Sequence, residues 1–133
     1  MNLTNTMCVD AAAVRPTSTV ADAREKALIF LEALREPALA PDTADTVFLV
    51  VSELVTNALR HGGGTYILRM TAHPDLMEVA VDDPSPQAPR MRTPDLTGAT
   101  GGFGWRMVTH IARTTAVIHR PTGGKTVSAF LTR

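Results

Sequence analysis

Val51-Ser52-Glu53-Leu54-Val55-Thr56-Asn57-Ala58-Leu59-Arg60-His61 carries an apolar and a polar pattern at once. At about 100° per residue, Val47, Val51, Leu54, Val55, Ala58 and Leu59 fall on one arc of a helix. Glu53, Asn57, Arg60 and His61 cluster on the other arc. The spacing therefore predicts a helix with one face turned to a core and the other left for chemistry or water. Glu53 and Asn57, one turn apart, would project a carboxylate and an amide oxygen into the same small volume. That arrangement suits a general base beside a Mg²⁺ ligand. The same spacing also arises on a plain solvated helix face.

Working outward, Pro41 and Asp42 suit the first turn of this helix, and Gly62, Gly63 and Gly64 suit its end. A preceding helix is expected over about residues 19–35. Thr19 and Asp22 form a capping box there, Val20, Ala23, Ala27, Leu31 and Leu34 recur at helical spacing, and Glu36-Pro37 stop the run. Residues 1–18 are poorly patterned and read as a tail or an edge strand. After the glycines the period changes to two. Tyr66, Leu68 and Met70 alternate with polar residues, as do Met77, Val79 and Val81, which predicts two strands joined at His73-Pro74-Asp75. Residues 82–102 hold Pro84, Pro86, Pro89 and Pro94, with Arg90 and Arg92 and little that is apolar. Such a long loop within one domain reads as a lid or binding segment, or else as a linker. Gly101 to Trp105 opens a third helix bearing Met107, Val108, Ile111 and Ala112. A final hairpin turns at Pro121 to Lys125.

Composition restricts the classes of function. A chain of 133 residues, 44% hydrophobic and 20% charged, is expected to form one globular domain, here over residues 19–133. Thirteen basic and thirteen acidic side chains cancel, so no global field draws the protein to nucleic acid or to an anionic membrane. The single Cys8 excludes an internal disulfide. His61, His73, His110 and His119 show no zinc-ligand spacing. No stretch has the layout of a signal peptide or the length of a membrane span, so the expected location is the cytoplasm.

Two glycine-rich stretches invite a phosphate. Gly123-Gly124-Lys125-Thr126 resembles the end of a P-loop, but His119 stands where that motif requires its first glycine, and strand sequence follows; the P-loop reading fails. Gly102-Phe103-Gly104 lies just before a helix, where free N–H groups and the helix dipole hold anions. A tight turn into the helix is the alternative reading.

Taken in order, the Glu53 to His61 helix, a hairpin ending in Asp82-Asp83-Pro84-Ser85-Pro86, a long loop, Gly102-Phe103-Gly104 before a helix, and a closing Gly124-Lys125-Thr126 resemble the histidine-kinase-like ATPase superfamily, also called the Bergerat fold. Within it the pattern is most similar to the bacterial anti-sigma-factor serine/threonine kinases, in particular their short single-domain regulators. The resemblance covers about residues 20–132. It implies an α/β two-layer sandwich, with three helices on one face of a mixed, mostly antiparallel sheet. It also implies an ATP-binding regulator, with Mg²⁺, that phosphorylates a serine or threonine of a small protein. Its expected partners are a sigma factor or an anti-anti-sigma factor, and a homodimer is expected. A non-catalytic module that sequesters such a partner, and a stand-alone ATP hydrolase, are the alternatives.

The implied roles fall on particular residues. Glu53 is the general base, and Asn57 is the Mg²⁺ ligand that reaches the phosphates. Asp83 receives the adenine amino group, with Asp82 one register away on the opposite strand face. Gly102 and Gly104 hold phosphates, Thr126 approaches the nucleotide, and Arg60 and His61 contact the lid or phosphates. Lys125 either supplements the positive charge there or is an exposed turn lysine. The chain departs from the family in its first glycine box, where Pro84-Ser85-Pro86-Gln87 replaces both glycines with proline-stiffened backbone. Trp105 stands where a small aliphatic residue is expected, and its default role is to anchor the core.

Overall fold

A computed structural model describes residues 5–10, 20–34, 41–61, 65–85 and 104–133. Three helices, α1 (Val20–Ala33), α2 (Pro41–His61) and α3 (Gly104–Ile111), pack against one sheet. Its strands are β1 (Asn5–Asp10), β2 (Ile67–Ala72), β3 (Leu76–Asp83), β4 (Thr114–His119) and β5 (Lys125–Thr132). The spatial order is β1-β2-β3-β5-β4, and the four described pairings are all antiparallel. The two-layer architecture is the expected one, with Asn5–Asp10 taking the edge-strand alternative.

The apolar arc of α2 is buried as its periodicity requires. Val47, Val50, Val51, Leu54, Val55 and Ala58 are all enclosed, each Val or Leu contributing about 1.5–3 kcal/mol by burial. On the solvent side, the Thr46 hydroxyl donates to the Asp42 carbonyl at 2.9 Å and the Ser52 hydroxyl to the Phe48 carbonyl at 2.8 Å. These back-bonds satisfy the polar groups without a tertiary partner. Helix α1 buries Ala23, Ala27 and Leu31 against α2, two of the three being small enough to let the helix backbones come close.

Alternation gives the sheet one apolar face. Leu68, Met70 and Ala72 of β2, Met77, Val79 and Val81 of β3, and Val127, Ala129 and Leu131 of β5 are buried toward the helices. The β3–β5 register runs from Leu76 opposite Thr132 to Asp83 opposite Lys125. Directly opposed residues share a face, so Asp83 and Lys125 end the helix-facing row while Asp82 and Thr126 end the outer row. Val108 of α3 completes the core, and Trp105 packs against its margin, as a core anchor should. No described helix is long and apolar enough to cross a membrane.

Candidate functional site

Helix α2 brings Glu53 to the first residue of α3. A Cβ placed on Gly104 would overlap Glu53 Oε2, so the third helix opens directly over the carboxylate, and a larger residue at 104 would push that carboxylate aside. The first N–H groups of a helix have no intrahelical acceptor, and an anionic group beside them is favoured. Burial removes water from Glu53 and raises its pKa above the ordinary 4.5, an effect that the positive charge of Arg60 partly opposes. The result is a carboxylate that holds a proton more tightly than a solvated one, beside the first residue of a helix. Asn57 is half-buried one turn further along α2, and Arg60 is exposed near the end of that helix.

A second polar cluster closes the end of the β3–β5 pair. Lys125 Nζ lies 3.0 Å from Asp83 Oδ1 and 2.9 Å from Oδ2, and both side chains are 1% exposed. The Ser85 amide donates to Asp83 Oδ1 at 2.9 Å, and Lys125 Nζ also reaches the Ser85 carbonyl at 3.4 Å. Arg120 ties the strand ends together, donating to the carbonyls of Asp83 and Lys125 at 3.0 Å each. The turn beneath it demands glycine. Gly124 has a φ of 79°, and a Cβ there would overlap the Asp83 carbonyl and the Arg120 guanidinium. On the outer face, Asp82 Oδ1 accepts from Arg69 at 2.6 Å and from the Thr126 hydroxyl at 2.6 Å, and Arg120 stands 3.5 Å from it.

The structure thus brings together Glu53 and Gly104, with Asn57 and Arg60 on the same helix as Glu53. It also separates the two aspartates onto opposite faces, as strand alternation requires. Lys125 is not an exposed turn lysine. Its ammonium is directed inward to Asp83, because the register sets the two residues opposite each other on the helix-facing side. The Thr126 side chain lies on the other face, bonded to Asp82. Gly102, the side chain of His61, and the loop from 86 to 103 with Arg90 and Arg92 lie outside the described residues. Sequence reasoning missed Arg120. Its one signal was a basic residue just before a Pro-Thr-Gly-Gly turn, where a guanidinium can reach the carbonyls of two adjacent strands.

Asn57 is the described residue that fits the expected Mg²⁺, as an oxygen donor on the same helix as Glu53. No group of three or more His, Cys, Asp or Glu side chains that could hold a metal occurs among the described residues. A magnesium ion normally keeps several waters and takes one or two protein oxygens plus substrate phosphates. The half-buried Asn57 amide is an oxygen donor of that kind.

A family model described as the histidine kinase-like ATPase domain matches residues 17–130, which is most of the chain. No curated protein shows a match.

Proposed function

This chain belongs to the family of histidine kinase-like ATPase domains, and from that premise we propose that it is an ATP-binding regulator of the anti-sigma type that phosphorylates a serine or threonine of a small partner protein. The observation that carries this reading is the Glu53 carboxylate seated at the opening of α3. In the proposed reaction Glu53 accepts the proton of the partner's hydroxyl as its oxygen bonds to the γ-phosphorus, and the bond to the bridging oxygen breaks to release ADP. Its raised pKa suits it to hold that proton. The free amides at the start of α3 orient the phosphoryl oxygens, and glycine at 104 keeps the approach to Glu53 open. Asn57 is the residue that would hold Mg²⁺, which when bound neutralises charge on the phosphates.

A second reading is favoured by the Asp83–Lys125 pair. A carboxylate already held by a buried ammonium is a weaker receptor for adenine, and this supports a non-catalytic module that sequesters a sigma factor or another regulator. Phosphorylation of a protein hydroxyl separates the two. The protein is used to capture partners from the cytoplasm of its native host with and without ATP and Mg²⁺, and the recovered proteins are mapped for phosphosites. A recovered partner phosphorylated on serine or threonine only with wild type, and not with Glu53→Gln, is the expected result. Recovery of the same unmodified partner under both conditions would establish the sequestering module instead. Phosphate release from ATP with no protein acceptor would establish the hydrolase.

A further inference from the structure

The buried pair at the end of β3 and β5 bears on which base the nucleotide site accepts. Asp83 lies on the helix-facing side of β3, continuing the row of Val79 and Val81 toward α2, and the family resemblance implies that the base lies there. A carboxylate reads an exocyclic amino group only through an oxygen with a free lone pair and a path to it. Asp83 Oδ1 already accepts from the Ser85 amide and from Lys125, and Oδ2 accepts from Lys125 and keeps one lone pair, to which burial of the side chain at 1% exposure closes the path. The three donors of the ammonium are directed to Oδ1, Oδ2 and the Ser85 carbonyl, so the lysine is itself satisfied in place. At 1% exposure, neither side chain offers its polar atoms to a ligand unless the other moves. Moving Lys125 away would leave a buried carboxylate and a buried ammonium each without a counter-charge, which a neutral amino group replaces poorly.

We infer that Lys125 sets the base selectivity of this site: by occupying Asp83 from within, it removes the preference for a base that donates an amino group. The inference rests on the nucleotide reading above and concerns the base alone, since the phosphate end is formed by α2 and α3. Adenine and hypoxanthine are the informative pair. Adenine carries an amino donor at the position where hypoxanthine carries a carbonyl acceptor.

The test measures calorimetric binding of ATP and ITP, each with Mg²⁺, to the full chain and to Lys125→Thr. In wild type the two affinities should agree within about threefold. In the variant ATP should lead by about tenfold or more, the usual worth of a hydrogen bond to a charged acceptor. A wild-type preference for ATP of tenfold or more overturns the inference and leaves the nucleotide reading standing. So does a folded variant whose ratio is unchanged. Failure of wild type to bind either triphosphate at millimolar concentration overturns the nucleotide reading and this inference with it. A second measurement on wild type does not depend on the variant folding. The Lys125 ammonium protons, followed by ¹⁵N-edited NMR, should stay protected from solvent exchange at saturation with ATP and with ITP alike. Release of the ammonium by ATP alone would contradict the inference.

Discussion

Glu53 combines three circumstances that a solvated helix glutamate lacks: loss of water, a helix opening against its oxygen, and a guanidinium on the same helix. Its raised pKa means that the folded protein binds the proton more tightly than the unfolded chain does. The stabilising contribution of that proton is fully present below pH 4.5 and is lost as pH rises through the folded value. Glu53→Gln, which stays neutral, should therefore melt above wild type at pH 7–8, and the gap should close as pH falls below 4.5. A gap of constant size across that range in parallel thermal melts would show that burial of the charge is not what shifts Glu53. The same substitution should leave ATP binding nearly intact and lower phosphotransfer about 100-fold or more. Asn57→Ala should instead weaken the Mg²⁺-dependent part of ATP binding, and calorimetry with and without Mg²⁺ distinguishes the two. The pairing of Glu53 with Asn57 was legible in the sequence because one helical turn is a local rule. The contact of Glu53 with Gly104 was not, since it depends on how α3 docks on α2.

At the level of elements, the β3–β5 pair ends in a polar knot whose parts are far apart in the chain. Asp83 and Lys125 are 42 residues apart in sequence, and only the strand register makes them neighbours. A lysine beside two glycines reads locally as a solvated turn residue, so neither its burial nor its partner was visible before the fold. By contrast, the inward and outward alternation of Val79, Val81 and Asp83 against Ala80 and Asp82 followed from the strand period alone. Breaking a buried ion pair from one side leaves a buried charge and costs about 3–5 kcal/mol. Asp83→Asn and Lys125→Met should each destabilise the protein by that order, while the double variant should recover much of the loss, as denaturant titrations can measure. Additive losses would mean that the two side chains contribute separately. Gly124→Ala forces a Cβ into a left-handed backbone position and against the Asp83 carbonyl, and should cost more than about 1 kcal/mol. A melt within error of wild type would show that the turn can relax.

For the molecule as a whole, a single apolar face on each helix and on the sheet leaves the two-layer arrangement as the way to bury all of them. This is why the order of elements was readable from hydrophobic period. Nucleotide at 100 times its dissociation constant should add about 2.7 kcal/mol of stability, which for a domain of this size corresponds to roughly 10 °C in melting temperature. Where the ligand binds is the sharper question, and amide chemical-shift mapping answers it. On titrating ATP with Mg²⁺ into ¹⁵N-labelled protein, the largest shifts should fall on residues 53–60 of α2 and on Gly104, Trp105 and Arg106 at the start of α3, with smaller ones at Asp83 to Ser85. Shifts confined to the outer surface of α1 and α2, around Leu28, Ile29 and Leu49, or none at millimolar ATP, would contradict a nucleotide site built on Glu53, Asn57 and the opening of α3.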